Sequence, residues 1–523
     1  MTTKLQLKLF LLIHLLIWTI IPNITNFNLP LDTIEALSWG NILDFGYWKH
    51  PPLSAYVVEF VYFIFKNKDF YYYLTSQIFI LINLLFVFKI CFFKTKSKKT
   101  SLYCTLLTSL IFYYSYSSTE FNVNICIIPL WTSTIYYFLI SCDKDKLKHW
   151  IKLGITSGLA FLSKYLIFYL LLALTIIFFL KFFKIFIKKK KLTFLVTIFI
   201  FLLIISPHLY WVFKNDFVTI KYGALRLTAY SGGYEFWSLN HMFFDYKNLI
   251  ANFVYLTKIF KIHFSFIFKQ FLFLFVLFIF HFIFFKKHFN KHFYKDDLFL
   301  IFILPLIFIF ISSIISSGKI RTMWLGPFYS ISSIVIFLLF FRLKEKISKI
   351  SYFIFTILYF ISPILFLTTH SIELAKDYTE NRTRDSRQKR VHFQGKEISN
   401  FIINKWKKNY DFDLEYVIGD EWYAGNLSYH LNSRPKVYYH DVYMKNNTSF
   451  KINTTPLEKV LSKGAIIIQK KNWHNSSLKF YEINKFFFLK DEKNKYQVVK
   501  CNLVNIQNEY NLIIYILPPK CKL

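Results

Sequence analysis

Asp32 and Glu35 are the first residues whose types and spacing suggest chemistry. They lie three apart in a polar stretch, DTIEALSWGNILDFGYWKHPPL (Asp32–Leu53), between apolar runs. On a short helix the two carboxylates share one face. Such a pair serves a solvated helix start, or it supplies a general base with a second acid to orient it or to help hold a metal. The stretch closes on Tyr47-Trp48-Lys49-His50 before Pro51-Pro52. The prolines pre-set the backbone and keep a helix from running back into the loop. Lys49 and His50 are the residue types that contact a phosphate, and equally those that anchor a chain at a membrane interface. Tyr47 and the polar pair Glu120 and Asn122 are candidates for substrate contact, the latter two also for capping a turn. Lys164 sits alone between apolar segments, where an isolated charge is costly. Lys319 and Arg321 occupy a short polar turn and suit neutralisation of a phosphate, the arginine with a bidentate fork. Arg226 and His241 are weaker candidates.

These groups suit transfer from a lipid-phosphate donor. A phosphate leaving group needs nearby positive charge and little acid assistance, while an incoming hydroxyl needs a base. One carboxylate and a few cations meet both demands by positioning and electrostatics.

The elements that must hold them are membrane helices. The chain has 523 residues, of which 55% are hydrophobic, and its mean hydropathy is +0.37. Apolar runs recur from Leu7 to Leu367, and about 20 such residues cross a bilayer. The first run lacks a small-residue cleavage site and is expected to stay as an anchor. A formal charge of +34 does not indicate nucleic-acid binding, because the lysines cluster in loops between apolar segments, as in membrane proteins.

Loop charge sets an expected topology. Lys4 and Lys8 place the N-terminus in the cytoplasm, so residues 25–53 form an outer loop. Basic loops around Lys94–Lys99, Asp143–Trp150, Lys181–Lys191, Lys286–Asp297 and Lys344–Lys349 lie inside. Spans are expected near 71–93, 101–118, 123–141, 192–212 and 350–368, with two short helices meeting at Lys164 and a large outer loop at 213–265. The total is about eleven transmembrane helices. The transmembrane domain is 1–369. The tail, 370–523, is helical in pattern from Arg382 to Lys408. It then carries β-rich runs at Tyr416–Ile418, Lys436–Tyr439, Ala465–Ile468, Tyr496–Val499 and Leu512–Ile516, the pattern of a small extracytoplasmic α/β domain. Of six cysteines, Cys501 and Cys521 lie in this tail, where an oxidising compartment would let them pair.

The order of motifs resembles the polytopic glycosyltransferases of the C-class (GT-C) fold. These are the dolichyl-phosphate-mannose protein mannosyltransferases and their bacterial relatives, including the lipid A aminoarabinose transferases. The resemblance rests on Asp32 and Glu35 with GYWKHPPL (Gly46–Leu53), then on FNVNICIIPLW (Phe121–Trp131), GLAFLSKY (Gly158–Tyr165), SPHLYW (Ser206–Trp211) and GKIRTMW (Gly318–Trp324). In the tail it rests on QGKEIS (Gln394–Ser399) and GDEWYAGNLSYHLNSRP (Gly419–Pro435). It implies a polyprenyl-phosphate-linked sugar donor and a hexosyl or pentosyl transfer to an envelope lipid, glycan or protein, in the bacterial inner membrane with the site on the periplasmic face. By the same likeness Asp32 is the base and Glu35 supports it, with Lys164, Lys319 and Arg321 on the phosphate side. The chain departs from the mannosyltransferases, whose first-loop acids are often adjacent. It also has Glu120 and Asn122 where some relatives carry an aspartate. A divalent metal is therefore not assigned. The rival classes are a lipid-linked sugar flippase and an inactive glycan-binding envelope protein. The first predicts internal repeats, and no convincing repeat is present. The second predicts loss of the acid pair, which is intact.

Overall fold

The computed structural model describes residues 2–185, 191–228, 271–272, 275, 296–315, 322–340, 349–379, 389–439, 455–470, 479–481, 486–490, 496–500, 503–507, 510 and 512–521. Its first helix, α1 (Thr3–Thr25), has 23 residues. At 1.5 Å per residue that is roughly 35 Å, enough to cross the hydrocarbon core. Pro30 and the first-turn Asp32 start α2 (Leu31–Gly40), with the acid near the positive end of the helix dipole. Tyr47 and His50 exchange two backbone hydrogen bonds, at 3.1 and 3.2 Å, which close the turn before the double proline. Pro52 then caps α3 (Leu53–Phe65). This apolar helix is too short to span and was not foreseen in the sequence.

The bundle continues with α4 (Phe70–Thr95), α5 (Lys98–Ser109), α6 (Val123–Lys144), α7 (Leu147–Ser163), α8 (Ile167–Ile185), α9 (Lys191–Lys214) and α10 (Val218–Thr228). After it come α11 (Asp297–Ile315), α12 (Ser332–Phe340) and α13 (Lys349–Thr379). Among the described residues five helices are long and apolar enough to cross a membrane: those within 3–25, 70–95, 123–144, 192–214 and 349–377. The protein is an integral membrane protein.

The span expected at 101–118 is not one helix. Twelve residues of α5 reach only about 18 Å, and a 3-10 turn and tighter turns complete the return. Ser76 Oγ donates to the Ser118 carbonyl at 2.5 Å and Gln77 Nε2 at 3.1 Å, so the irregular segment ends beside the first third of α4. Every residue of α5 from Thr100 on is buried, which is how non-helical backbone survives at membrane depth.

Gly154 and Gly158 have a packing role. A Cβ on them would stand 2.8 Å from the Thr197 carbonyl and 2.9 Å from Ile204 Cγ2, so the small residues let α7 and α9 touch backbone to backbone. At one end of the bundle Lys94 pairs with Asp296 at 2.6 Å and Lys181 with Asp297. Three of the loops read as internal thus meet at the end opposite α2.

The tail folds as expected in its strands. Helix α14 (Gly395–Lys407) is followed by β1 (Tyr416–Gly419), α15 (Tyr423–His430), β2 (Lys436–Tyr439), α16 (Leu457–Lys463) and β3 (Ala465–Lys470). Then come β4 (Lys479–Tyr481), β5 (Phe486–Lys490), β6 (Tyr496–Lys500), β7 (Val504–Asn505) and β8 (Leu512–Leu517). The main sheet has the order β2-β1-β3-β8-β7, while β4, β5 and β6 form a separate sheet. Strands β1, β2 and β3 run parallel, and β8 is antiparallel to β3. Of the stretch read as helical from Arg382 to Lys408, residues 382–388 lie outside the described residues, and the described helix is Gly395–Lys407. Cys521 is disulfide-bonded, and Cys501 lies outside the described residues.

Candidate active site

Helix α2 is held from both sides. Toward the membrane bundle, Thr33 Oγ1 donates to the Phe121 carbonyl at 2.9 Å, and the Asp32 backbone N–H donates to Glu120 Oε1 at 2.9 Å. Toward the tail, Gly425 of α15 lies so close that a Cβ there would meet Ile34 Cγ2 at 2.8 Å. Ser38 Oγ and the Tyr439 hydroxyl are 2.5 Å apart. Further out, Arg434 grips Glu59 with both terminal nitrogens at 2.7 and 2.6 Å, and the Tyr429 hydroxyl donates to Asp69 at 2.5 Å. The α/β domain is therefore docked on the helix that carries the candidate base.

Asp32 is half-buried, and its Oδ2 accepts from Asn122 Nδ2 at 3.3 Å. Asn122 is itself fixed, because its Oδ1 caps α6 by accepting from Asn124 N and Ile125 N. Glu35, one turn on, takes a different partner. Lys49 Nζ donates to Glu35 Oε1, and at 2.6 Å to Glu421 Oε1. The ammonium also lies 4.5 Å from the centre of the Trp48 ring. All three charged side chains are at most 10% exposed. Lys164, at the extended break between α7 and α8, donates to Asn124 Oδ1 at 2.5 Å and stands 5.0 Å from the Trp324 ring centre.

The electrostatics follow from this crowding. Four carboxylates (Asp32, Glu35, Glu120, Glu421) gather near three cations (Lys49, Lys164, Arg390). Burial raises the Asp32 carboxyl, against the pull of Lys49, Arg390 and Lys164. Burial pushes Glu35 up to about 8, with Lys49 opposing and Glu421 and Asp32 adding repulsion. Glu120 also rises to about 8, through burial and then the Asp32 charge. A carboxyl raised this way is a stronger base than one in water.

Of the residues singled out in the sequence, Asp32, Glu35, Lys49, Lys164, Glu120 and Asn122 converge here. Tyr47 and His50 stand beside them in packing roles. Tyr47 stacks on Trp39 with ring centres 5.6 Å apart, and its hydroxyl accepts from Asp44 N at 3.3 Å. His50 meets Trp39 and Tyr222 edge to face. Lys319, Arg321 and His241 lie outside the described residues. Sequence reasoning missed Glu421, Arg390 and Asn124. Glu421 stood in the quoted GDEWYAG motif, but nothing local ties it to Lys49, 372 residues away. Among the described residues no group of three or more His, Cys, Asp or Glu has the arrangement of a metal site.

The architecture is that of the GT-C membrane glycosyltransferases: a helical bundle, an acid-bearing helix at its mouth and an α/β domain closing over it. The chain is similar to ArnT from Cupriavidus metallidurans bound to undecaprenyl phosphate, with a TM-score of 0.59 and 11% identity over 98% of each chain. It is also similar to the apo state of that protein, with a TM-score of 0.56 and 9% identity over 98% of this chain and 97% of the other. Residues 49–211 match the model of the dolichyl-phosphate-mannose-protein mannosyltransferase family. No curated protein matches the chain. The family resemblance seen in the motifs is thus met independently by the fold and by the family match.

Proposed function

We propose that this protein is a glycosyltransferase that moves a hexosyl or pentosyl group from a polyprenyl-phosphate donor to a hydroxyl or phosphate oxygen of an envelope lipid, glycan or protein. The observation that carries the reading is Asp32. It is a half-buried carboxylate oriented by Asn122, its affinity for protons raised by burial, beside the lysines at 49 and 164 in a GT-C fold.

In this reading the acceptor oxygen attacks the anomeric carbon, and where that oxygen is a hydroxyl its proton passes to Asp32. The bond from that carbon to the phosphate oxygen breaks, the phosphate departs with the electron pair, and the configuration inverts. Lys164 offsets the charge gathering on the phosphate, and Lys49 adds its field while staying bonded to Glu35 and Glu421. Glu35 supports by fixing Lys49, in concert with Glu421, rather than by taking a proton. The site and the α/β domain face the periplasm of a bacterial inner membrane. The disulfide at Cys521 suits that compartment, and the lysine-rich loops at the opposite end suit the cytoplasm.

The test is sugar release from radiolabelled polyprenyl-phosphate sugars by purified protein, with Asp32→Asn alongside. Turnover of one donor, lost in the variant while its melting temperature holds, is the expected result. Wild-type turnover by a folded Asp32→Asn protein removes Asp32 from the mechanism. Carrier binding without turnover of any donor points to the flippase class instead.

A further inference from the structure

Arg390 lies in the segment that joins α13 to the α/β domain, and its side chain is exposed. Its backbone is nonetheless tightly held. The neighbouring Val391 carbonyl accepts from Phe27 N at 2.8 Å and from Asn28 N at 3.1 Å, four to five residues before Asp32. On the other side Lys389 N donates to Asp377 Oδ2 at 3.2 Å, and the same oxygen stands 2.5 Å from His392 Nδ1. The guanidinium carbon lies 5.8 Å from the centre of the Trp422 ring, next to the Glu421 that binds Lys49. Among the described residues Arg390 forms no ion pair. It is still close enough to lower the carboxyls of Asp32 and Glu120.

This is an unusual cation for the site. Lys49 is committed to two carboxylates, and Lys164 is buried and held by Asn124. Arg390 is exposed, carried on a fixed backbone beside an indole, and near the base. Exposed arginines that only solubilise a surface do not need this anchoring. A planar fork steadied beside an aromatic ring loses little freedom on binding, and its geometry matches phosphate oxygens bidentately.

We propose that Arg390 is a phosphate-binding residue of this site, recognising at its mouth the phosphate of the polyprenyl carrier or of a phosphorylated acceptor. The proposal rests on the glycosyltransferase reading for the choice of phosphate over other anions. It gives the α/β domain's linker a direct part in substrate binding, since Val391 bonds the segment that leads into α2 and Glu421, beside the Trp422 ring that Arg390 approaches, bonds Lys49.

The experiment uses the full-length protein in detergent, as wild type, Arg390→Lys and Arg390→Gln. Undecaprenyl phosphate, then inorganic phosphate, is titrated while the melting temperature is followed. Loss of a charge-assisted bidentate contact weakens binding roughly tenfold to a hundredfold. The expected result is that loss for carrier phosphate in Arg390→Gln, a smaller loss in Arg390→Lys, and unchanged unliganded melting. If carrier binding and donor hydrolysis are unchanged but transfer to a phosphorylated acceptor drops by that factor, the phosphate is the acceptor's and the assignment stands. Unaltered constants for both in a stable Arg390→Gln protein overturn it. Should the glutamine variant not fold, Arg390→Lys decides alone, because equal bidentate and point-charge binding contradicts the fork. Arg390-dependent carrier binding in a protein that transfers no sugar would defeat the enzymatic reading and leave this one intact.

Discussion

Lys49 is bonded at once to Glu35 on the helix that carries the candidate base and to Glu421 of the α/β domain, and its removal should be far costlier than removal of either partner. In Lys49→Met two buried carboxylates, Glu35 and Glu421, lose their shared counter-ion. Stripping one partner from a buried ion pair costs roughly 3–5 kcal/mol, less what Glu35, already raised to about 8, recovers by taking up a proton. In Glu421→Gln, by contrast, Lys49 keeps Glu35 and the amide oxygen can still accept. The loss is then the difference between a charged and a neutral acceptor, about 1–2 kcal/mol. The double variant should lie between Glu421→Gln and Lys49→Met, because the amide removes half of the uncompensated charge. The assay is urea or thermal unfolding of the three proteins in the same detergent at pH 7.5, read by the tryptophans around the turn (Trp39, Trp48, Trp422). Glu421→Gln as destabilising as Lys49→Met, or strictly additive effects, would refute the shared-ammonium account and make the contact a peripheral one.

Three further outcomes follow from the same geometry. Gly425→Val places methyl groups where a Cβ already meets Ile34 Cγ2 at 2.8 Å. It should lower the melting temperature by several degrees and reduce donor turnover with it, measured on one preparation, whereas Gly223→Ala, with nothing within 4 Å of its Cβ, should do neither. Glu35 and Glu120 are raised from 4.5 to about 8, so between those values the folded protein binds more protons than the unfolded chain and stability falls as pH rises. Turnover needs ionised Asp32, whose carboxyl burial also raises, and should increase as pH rises, and melting curves from pH 5 to 9 should flatten in Glu120→Gln. For membrane sidedness, Asp411 of the α/β domain is exposed. A cysteine at Asp411 should react with an impermeant reagent in intact cells, and reaction only after lysis would reverse the orientation.

How much of this was legible in the sequence depends on whether the deciding interaction is local. The break at Lys164 was visible because Ser163-Lys164-Tyr165 interrupts an apolar run, and a charge in lipid needs a reason. The five β-rich runs are strands because short β-branched and aromatic segments bounded by polar ones have few other solutions. The acid helix was legible from the three-residue spacing of Asp32 and Glu35 in a polar run. What was hidden required a fold. The return path at 98–118 looks like a span by hydropathy, yet its Ser and Thr residues are satisfied inside the bundle. For example, Thr108 Oγ1 lies 2.6 Å from Ser333 Oγ, and the helix stops after twelve residues.

The site shows the same division more sharply. Asp32 and Glu35 share a helix face, so spacing suggested a cooperating acid pair. Their partners lie 90 and 14 residues away, and these assign them different work, Asp32 toward Asn122 and Glu35 toward Lys49. A pair that looks symmetric in one dimension is split by what each oxygen can reach in three. The split explains why the acids need not be adjacent in this chain. In the proposed mechanism the second acid serves the cation, not the base, and needs only to reach Lys49. That constraint is met wherever the turn from Gly46 to Pro52 folds Lys49 back over the helix and the α/β domain brings a second carboxylate to meet it. Replacing Glu35 should therefore be partly compensated by Glu421, and replacing both should cost far more than the sum. No substitution at Glu35 or Glu421 should rescue loss of Asp32.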